Sequence, residues 1–273
     1  MPYKNLLDLH AHTDNSFDGL HSAVFLCESA VARGLRALAL TDHVEMDFYR
    51  ESDFDRTARQ SYFEIVKARS AFRGTLIVCA GVELGQPTYN LPESEQLTQQ
   101  YSYDVVLGSI HNLRGEKDFW YMSKEEFAGG RAEAMLRAYF DELLLLAQWG
   151  KCDVLAHLTY PLRYIEGVHG IPVPRETYSE RLDAVLKAMV KNRLALEINT
   201  SGLRQKIAQT TPDEWVLRRF RALGGTRITI GSDAHEAENL GAGLPQAMDM
   251  ALRCGFKYMT LYQKREPIEI EIV

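Results

Sequence analysis

The chain has 273 residues, 46% hydrophobic and 25% charged, which is enough apolar material for a sizeable core. With 10% aromatics it is not a mainly disordered polypeptide. A net charge of −6 argues against a dedicated binder of nucleic acid or anionic membrane, since such proteins carry a basic face.

Taken in order, Met1–Asp8 lacks the apolar core of a signal peptide, and no run of about 18 apolar residues occurs. A cytoplasmic protein without a transmembrane helix is expected. Strand-like runs follow at Leu6–His12, Leu35–His43, Thr75–Leu84, Tyr103–His111, Asp153–His157, Leu194–Thr200 and Arg227–Asp233. Amphipathic helical stretches lie between them at Ser22–Arg33, Phe54–Phe72, Lys124–Trp149, Tyr178–Lys191 and Pro212–Leu223. Glycines at 34, 74, 150 and 224–225 mark helix ends just before the next strand. The acidic residues Glu93, Glu95 and Glu125-Glu126 read as solvated loop and helix start. The tail Pro267–Val273 alternates like an edge strand, open to pairing with a neighbour or packing on its own chain. Cys27, Cys79, Cys152 and Cys254 are widely spaced and read as buried thiols of a reducing compartment. No linker divides the chain, so residues 1–273 are expected to form one domain.

The alternation of strands and helices predicts parallel strands with helical crossovers. The polar residues sit at the C-terminal ends of those strands: His10 and His12, Asp42 and His43, Glu83, His111, His157, Glu197 and Asn199, Asp233 and His235. A closed barrel brings all such ends to one face, whereas an open sheet spreads them along an edge. Six of the eight histidines occupy these positions. Burying so many imidazoles and carboxylates without partners would cost several kcal/mol each. Divalent cations remove that cost, and the set is too large for one ion. His10 and His12 are two residues apart on a strand and share a face; Asp233 and His235 are expected to repeat that geometry. A carboxylate such as Glu83 can direct its two oxygens at different ions. Imidazole with carboxylate suits zinc, iron or manganese. No G-x-S-x-G nucleophile occurs.

Asp8-Leu9-His10-Ala11-His12-Thr13, Ser16-Phe17-Asp18-Gly19, Leu40-Thr41-Asp42-His43, Gly81-Val82-Glu83, Gly108-Ser109-Ile110-His111, Ala156-His157 and Gly231-Ser232-Asp233-Ala234-His235 resemble, in order, the motifs of the PHP (polymerase and histidinol phosphatase) superfamily. The length and Leu196–Arg204 resemble its histidinol-phosphatase branch. The resemblance implies a distorted (β/α)7 TIM-like barrel with two to three divalent ions. One ion would take His10, His12, Glu83 and Asp233, a second Glu83, His111 and His157, and a third Asp18, His43 and His235. Asp18 has a second, less favoured reading as a turn former before Gly19. Asp42 is expected to orient an imidazole rather than bind metal.

The implied activity is hydrolysis of a small phosphate monoester by metal-activated hydroxide, with L-histidinol phosphate of histidine biosynthesis the leading substrate. Protonation of the leaving group falls to Asp233, His235 or water. Arg163 and Arg204 resemble phosphate-contacting positions, where a planar guanidinium matches phosphate oxygens. Asn199 contacts substrate or ties down its loop. Two departures from the branch stand out: Asn112-Leu113-Arg114 after His111, and Gly115–Met122, an unusual substrate lid containing Phe119, Trp120 and Tyr121. They leave room for another small phosphate ester or diester. A nucleic-acid phosphoesterase is disfavoured by the acidic charge, and a non-catalytic domain by the full ligand set. The sequence leaves the native metal and oligomeric state open.

Overall fold

The computed structural model describes residues 3–273. The strands in chain order are β1 (Leu7–Ala11), β2 (Ala37–Leu40), β3 (His43–Glu45), β4 (Ile77–Gly85), β5 (Val105–Ser109), β6 (Val154–Leu155), β7 (Ala195–Asn199) and β8 (Ile228–Gly231). All pair in parallel, in the spatial order β1-β2-β4-β5-β6-β7-β8, with β3 beside the second half of β4. The seam is joined just past β8, where His12 donates its N–H to Ala234 (2.8 Å) and Asp233 donates to His10 (2.8 Å). The result is the expected distorted seven-stranded barrel, nearly closed.

The helices are α1 (Ala23–Ala32), α2 (Phe54–Ala71), α3 (Leu91–Gln100), α4 (Arg131–Trp149), α5 (Ser179–Asn192), α6 (Glu214–Ala222) and α7 (Leu244–Arg253). Among the described residues none is long and apolar enough to cross a membrane. The side chains of Ser22 and Asp213 accept from the N–H groups of Phe25 and Val216 and so start α1 and α6. Along α4 the buried face runs Ala132, Met135, Leu136, Tyr139, Phe140 and Leu143, the three-and-four spacing of a helix packed on a sheet. On the barrel strands Leu38, Leu40, Leu155, Leu196, Ile198 and Ile230 are fully buried. Truncating one such leucine to alanine costs roughly 2–5 kcal/mol.

Several expected boundaries shift, each for a local reason. The run Leu35–His43 is two strands, because Thr41 turns its N–H to Ala11 of β1 while the Asp42 carbonyl accepts from Glu83 of β4. The run Lys124–Trp149 breaks at Gly129 and Gly130, both with positive φ (63° and 81°), and α4 starts only afterwards. The last barrel strand ends at Gly231 rather than Asp233, since Asp233 itself has φ 54°. Glu93 and Glu95 lie on α3, an unexpected helix with Pro92 in its first turn.

The tail finds its partner within the chain. A hairpin of β9 (Tyr258–Gln263) and β10 (Glu266–Glu271) pairs antiparallel. It sits at the N-terminal end of the barrel, where Lys264 and Arg265 donate backbone N–H groups to Asp104, just ahead of β5, and Tyr262 donates to Asp153, just ahead of β6. The opposite end stays open for the strand-end polar residues.

Candidate metal centre

At the C-terminal end of the barrel the strand-end residues converge into three adjoining groups of inward-facing atoms. In the first, His10 Nε2 and His12 Nε2 are 3.0 Å apart. Glu83 Oε2 lies 3.0 and 3.5 Å from them, and Asp233 Oδ1 3.7 and 3.5 Å. In the second, Glu83 Oε1 lies 2.7 Å from His157 Nε2 and 3.2 Å from His111 Nε2, and the two nitrogens are 3.4 Å apart. In the third, His235 Nε2 is 3.4 Å from His43 Nε2, and the Asp18 carboxylate lies 3.2 Å from the former and 3.9 Å from the latter. Glu83 thus turns one oxygen to each of the first two groups.

These atoms fit divalent cations. Bonds of about 2.0–2.2 Å in a tetrahedral arrangement place ligand atoms roughly 3.3–3.6 Å apart, within the spread found here. Four of the imidazoles also have their other nitrogen engaged by the protein. His10 Nδ1 faces Glu197 (2.6 Å), His12 Nδ1 faces Ser16 Oγ (3.2 Å), His111 Nδ1 faces Glu45 (3.1 Å) and His235 Nδ1 faces the Asp233 carbonyl (3.1 Å). That arrangement fixes each ring so that Nε2 presents its lone pair inward. His157 Nδ1 and His43 Nδ1 are both buried without a hydrogen-bond partner, the latter 3.2 Å from Glu83 and 3.3 Å from Glu45.

Without cations, protons balance the charge. Burial alone would raise the Glu83 and Asp233 pKa values, but the surrounding imidazoles, joined at Asp233 by Arg163, hold both carboxyls well below their usual range. Burial opposes protonation of His10, His43 and His111, yet the carboxylates around them win: His10 and His111 rise well above the usual imidazole range and His43 rises to about 9. His12 is pushed well below that range by burial and by His235 and His43; burial also lowers His157.

Asp42 stands behind the centre, as its neighbourhood to His43 implied. Its carboxylate accepts from the Thr13 N–H (2.6 Å), the Thr13 hydroxyl (2.8 Å), Ser16 (3.0 Å) and Ser61 of α2. Ser16 in turn touches His12 and accepts the His43 N–H at 3.1 Å.

Arg163, for which the resemblance implies a phosphate contact, is buried on a short π-helical turn (Arg163–Val168). Its guanidinium donates to Asn199 (2.8 Å), Thr211 (2.9 Å) and Asp233 Oδ2 (3.3 Å). Asn199 is fully buried with both ends of its amide engaged, by Arg163 and Ser201 on one side and by Glu197 and Asp233 on the other. Its geometry is that of a tie. Arg204 is exposed and donates one N–H to the Ser232 carbonyl (2.8 Å), leaving most of its fork towards solvent.

The 115–122 segment is anchored by Phe119, which is fully buried and donates its N–H to the His111 carbonyl at 3.2 Å. Trp120 and Tyr121 stay about two-thirds exposed (62% and 64%). Asp118 accepts from Tyr160 (2.9 Å), whose ring lies 5.1 Å from His111 and 5.2 Å from His157. The segment therefore borders the centre through Tyr160. Glu45, Gln86, Ser16, Tyr160 and Asp118 had no site role in the sequence reading. Glu45 carried one usable signal, its place two residues after His43 on the same face of β3.

Comparison with known proteins agrees with this architecture. The PHP domain family matches residues 8–201, more than half of the chain. Probable histidinol-phosphatases of Clostridium acetobutylicum and Thermotoga maritima are each 28% identical over 95% of this chain, and over 98% and 97% of their own. The crystal structure of histidinol phosphate phosphatase from Lactococcus lactis, complexed with zinc, L-histidinol and phosphate, superposes with a TM-score of 0.80 at 22% identity. It covers 97% of this chain and 99% of that one, so the two share a fold. The chain belongs to the PHP domain family.

Proposed function

We propose that this protein is a metal-dependent phosphomonoesterase whose substrate is L-histidinol phosphate, with the whole chain acting as one domain. The reading is carried by the convergence of six imidazoles at one barrel end, four of them with Nε2 within 3.5 Å of Glu83, whose two oxygens serve different groups. Support for the substrate comes from the names of the relatives and from the L-histidinol and phosphate bound by the Lactococcus protein. A cytoplasmic location agrees with four buried, unpaired cysteines. No nucleic-acid partner is proposed.

Divalent ions in the three groups supply positive charge for the phosphoryl oxygens and acidify water towards neutral pH. The residues of the chain do the rest. Arg204, with its free fork, draws the phosphate dianion to the mouth. Arg163 holds Asp233 by one oxygen and leaves Oδ1 facing His10 and His12. His235 has Nε2 turned to Asp18 and His43 and Nδ1 against the Asp233 carbonyl. Asp233, with Oδ1 facing the first group, is placed to take the proton of the attacking water. It then returns that proton to the ester oxygen as the P–O bond to the alcohol breaks. Products are the free alcohol and inorganic phosphate, with no covalent phosphoenzyme.

The test is phosphate release by metal-reconstituted protein from histidinol phosphate, a sugar phosphate, a nucleotide and a phosphodiester. Turnover concentrated on histidinol phosphate is expected. Preference for another ester would discard the substrate and keep the metal chemistry, and preference for the diester would favour a nuclease-like role.

A further inference from the structure

Glu45 stands outside the three groups, yet it touches two of them. Its Oε1 pairs with His111 Nδ1 at 3.1 Å and lies 3.3 Å from His43 Nδ1, which stands between it and Glu83 Oε2 (3.2 Å); the Nε2 atoms of these rings face the second and third groups. We propose that Glu45 is a shared positioning residue that sets the ion affinity of the second and third groups together. The inference rests on the reading above that these groups hold metal.

The surroundings are shaped for this carboxylate. It is 8% exposed, and its Oε2 accepts from the Gln86 amide at 2.8 Å. Gln86 sits at φ 49°, an uncommon conformation for a residue with a side chain, and its own carbonyl oxygen accepts the His111 N–H at 3.0 Å. One side chain therefore fixes both Glu45 and the backbone of the histidine it serves. Behind them lies Gly85, where an added Cβ would fall 1.9 Å from Glu45 Oε2. Glycine there leaves the room that the carboxylate occupies. The first group is held by other means, with Glu197 against His10 and Ser16 against His12.

A carboxylate that accepts from Nδ1–H fixes the ring tautomer and strengthens the opposite nitrogen as a donor to metal. Removing such a partner typically weakens metal binding about 10–100-fold. A glutamine at position 45 keeps the volume but offers one carbonyl oxygen, and its NH2 group opposes the N–H it would otherwise accept. In Glu45→Gln the second and third ions should bind about 10–100-fold more weakly and the first ion unchanged. Gly85→Ala displaces the same carboxylate without removing its charge and should weaken the same two ions.

The experiment is equilibrium dialysis of chelator-stripped protein against buffered free Zn²⁺, with bound metal per chain counted by mass spectrometry. Thermal melts of the metal-free proteins report folding separately. Loss of two ions with one retained, in either folded variant, is the expected result. Wild-type affinity for all ions in Glu45→Gln overturns the proposal, as does equal weakening of all three. Failure of the metal reading shows elsewhere, in unmutated protein that takes up no zinc.

Discussion

Arg163 is buried against Asp233, Asn199 and Thr211, so its removal strips the buried Asp233 carboxylate of its cationic partner and takes one donor from the Asn199 amide oxygen. Breaking a buried pair from one side costs roughly 3–5 kcal/mol. Urea unfolding of metal-free Arg163→Ala should show a loss of that size, and Arg163→Lys a smaller one, because lysine keeps the charge but not the fork. A change under about 1 kcal/mol in the alanine variant would mean that the arginine is not tied to Asp233. At this scale the sequence was most readable where type and position coincided. His10, Glu83 and His111 announced themselves as polar residues ending apolar strands. Glu45, Gln86 and Tyr160 did not, since nothing in a linear pattern says that a side chain stops behind a ligand rather than in solvent.

Among the elements, the strand ends are where the chain departs from regular geometry. Gln86, His157 and Asp233 all have positive φ (49°, 28° and 54°), and each follows within two residues of the end of β4, β6 or β8. Such conformations cost on the order of 1–3 kcal/mol each, and here they turn side chains into the barrel mouth. Periodicity located the strands but not these turns, which is why Asp233 and His235 were expected on a strand. On β8, Gly231 packs where an added Cβ would lie 2.3 Å from the His10 Cβ and 2.6 Å from Glu197 Oε1. Gly231→Ala should therefore push His10 off Glu197 and lower kcat about 10–100-fold, in keeping with loss of an orienting contact to a ligand. Activity within a few-fold of the unmutated enzyme would show that β8 yields instead. The helix α3 escaped notice because its short polar window carries little periodic signal, whereas α7 buries Leu244, Ala247, Met248 and Ala251 at helical spacing and was legible though not read.

For the whole molecule, barrel closure gathers nine donor residues from far-separated segments into one charged cavity. Their register along seven strands was legible from the sequence, whereas the capping hairpin of β9 and β10 at the opposite end was only half seen. The charge balance has a solution consequence. His10, His43 and His111 hold protons above the ordinary imidazole value, His43 up to about 9, while cations need the bare nitrogens. Zinc uptake at pH 7.5 should release more than one proton per chain, and apparent zinc affinity should climb as pH rises from the ordinary imidazole value towards 9. Calorimetry in two buffers of different protonation enthalpy measures this; uptake without proton release would refute the charge assignment. In the metal-free protein the same pairs stabilise the fold below the ordinary imidazole value, and that contribution is lost as pH rises through the raised ones.

Hydrolysis of the phosphate ester depends, in this reading, on a metal centre shared through Glu83. The most direct test is kcat/KM for histidinol phosphate in chelator-stripped, zinc- or manganese-reloaded and Glu83→Gln protein, with metal content counted in the same samples. The predicted result is loss of activity on stripping, recovery on reloading, and a drop of at least about 1,000-fold in Glu83→Gln, with fewer ions bound. A Glu83→Gln enzyme within about tenfold of the unmutated one, or full activity after stripping, would contradict it.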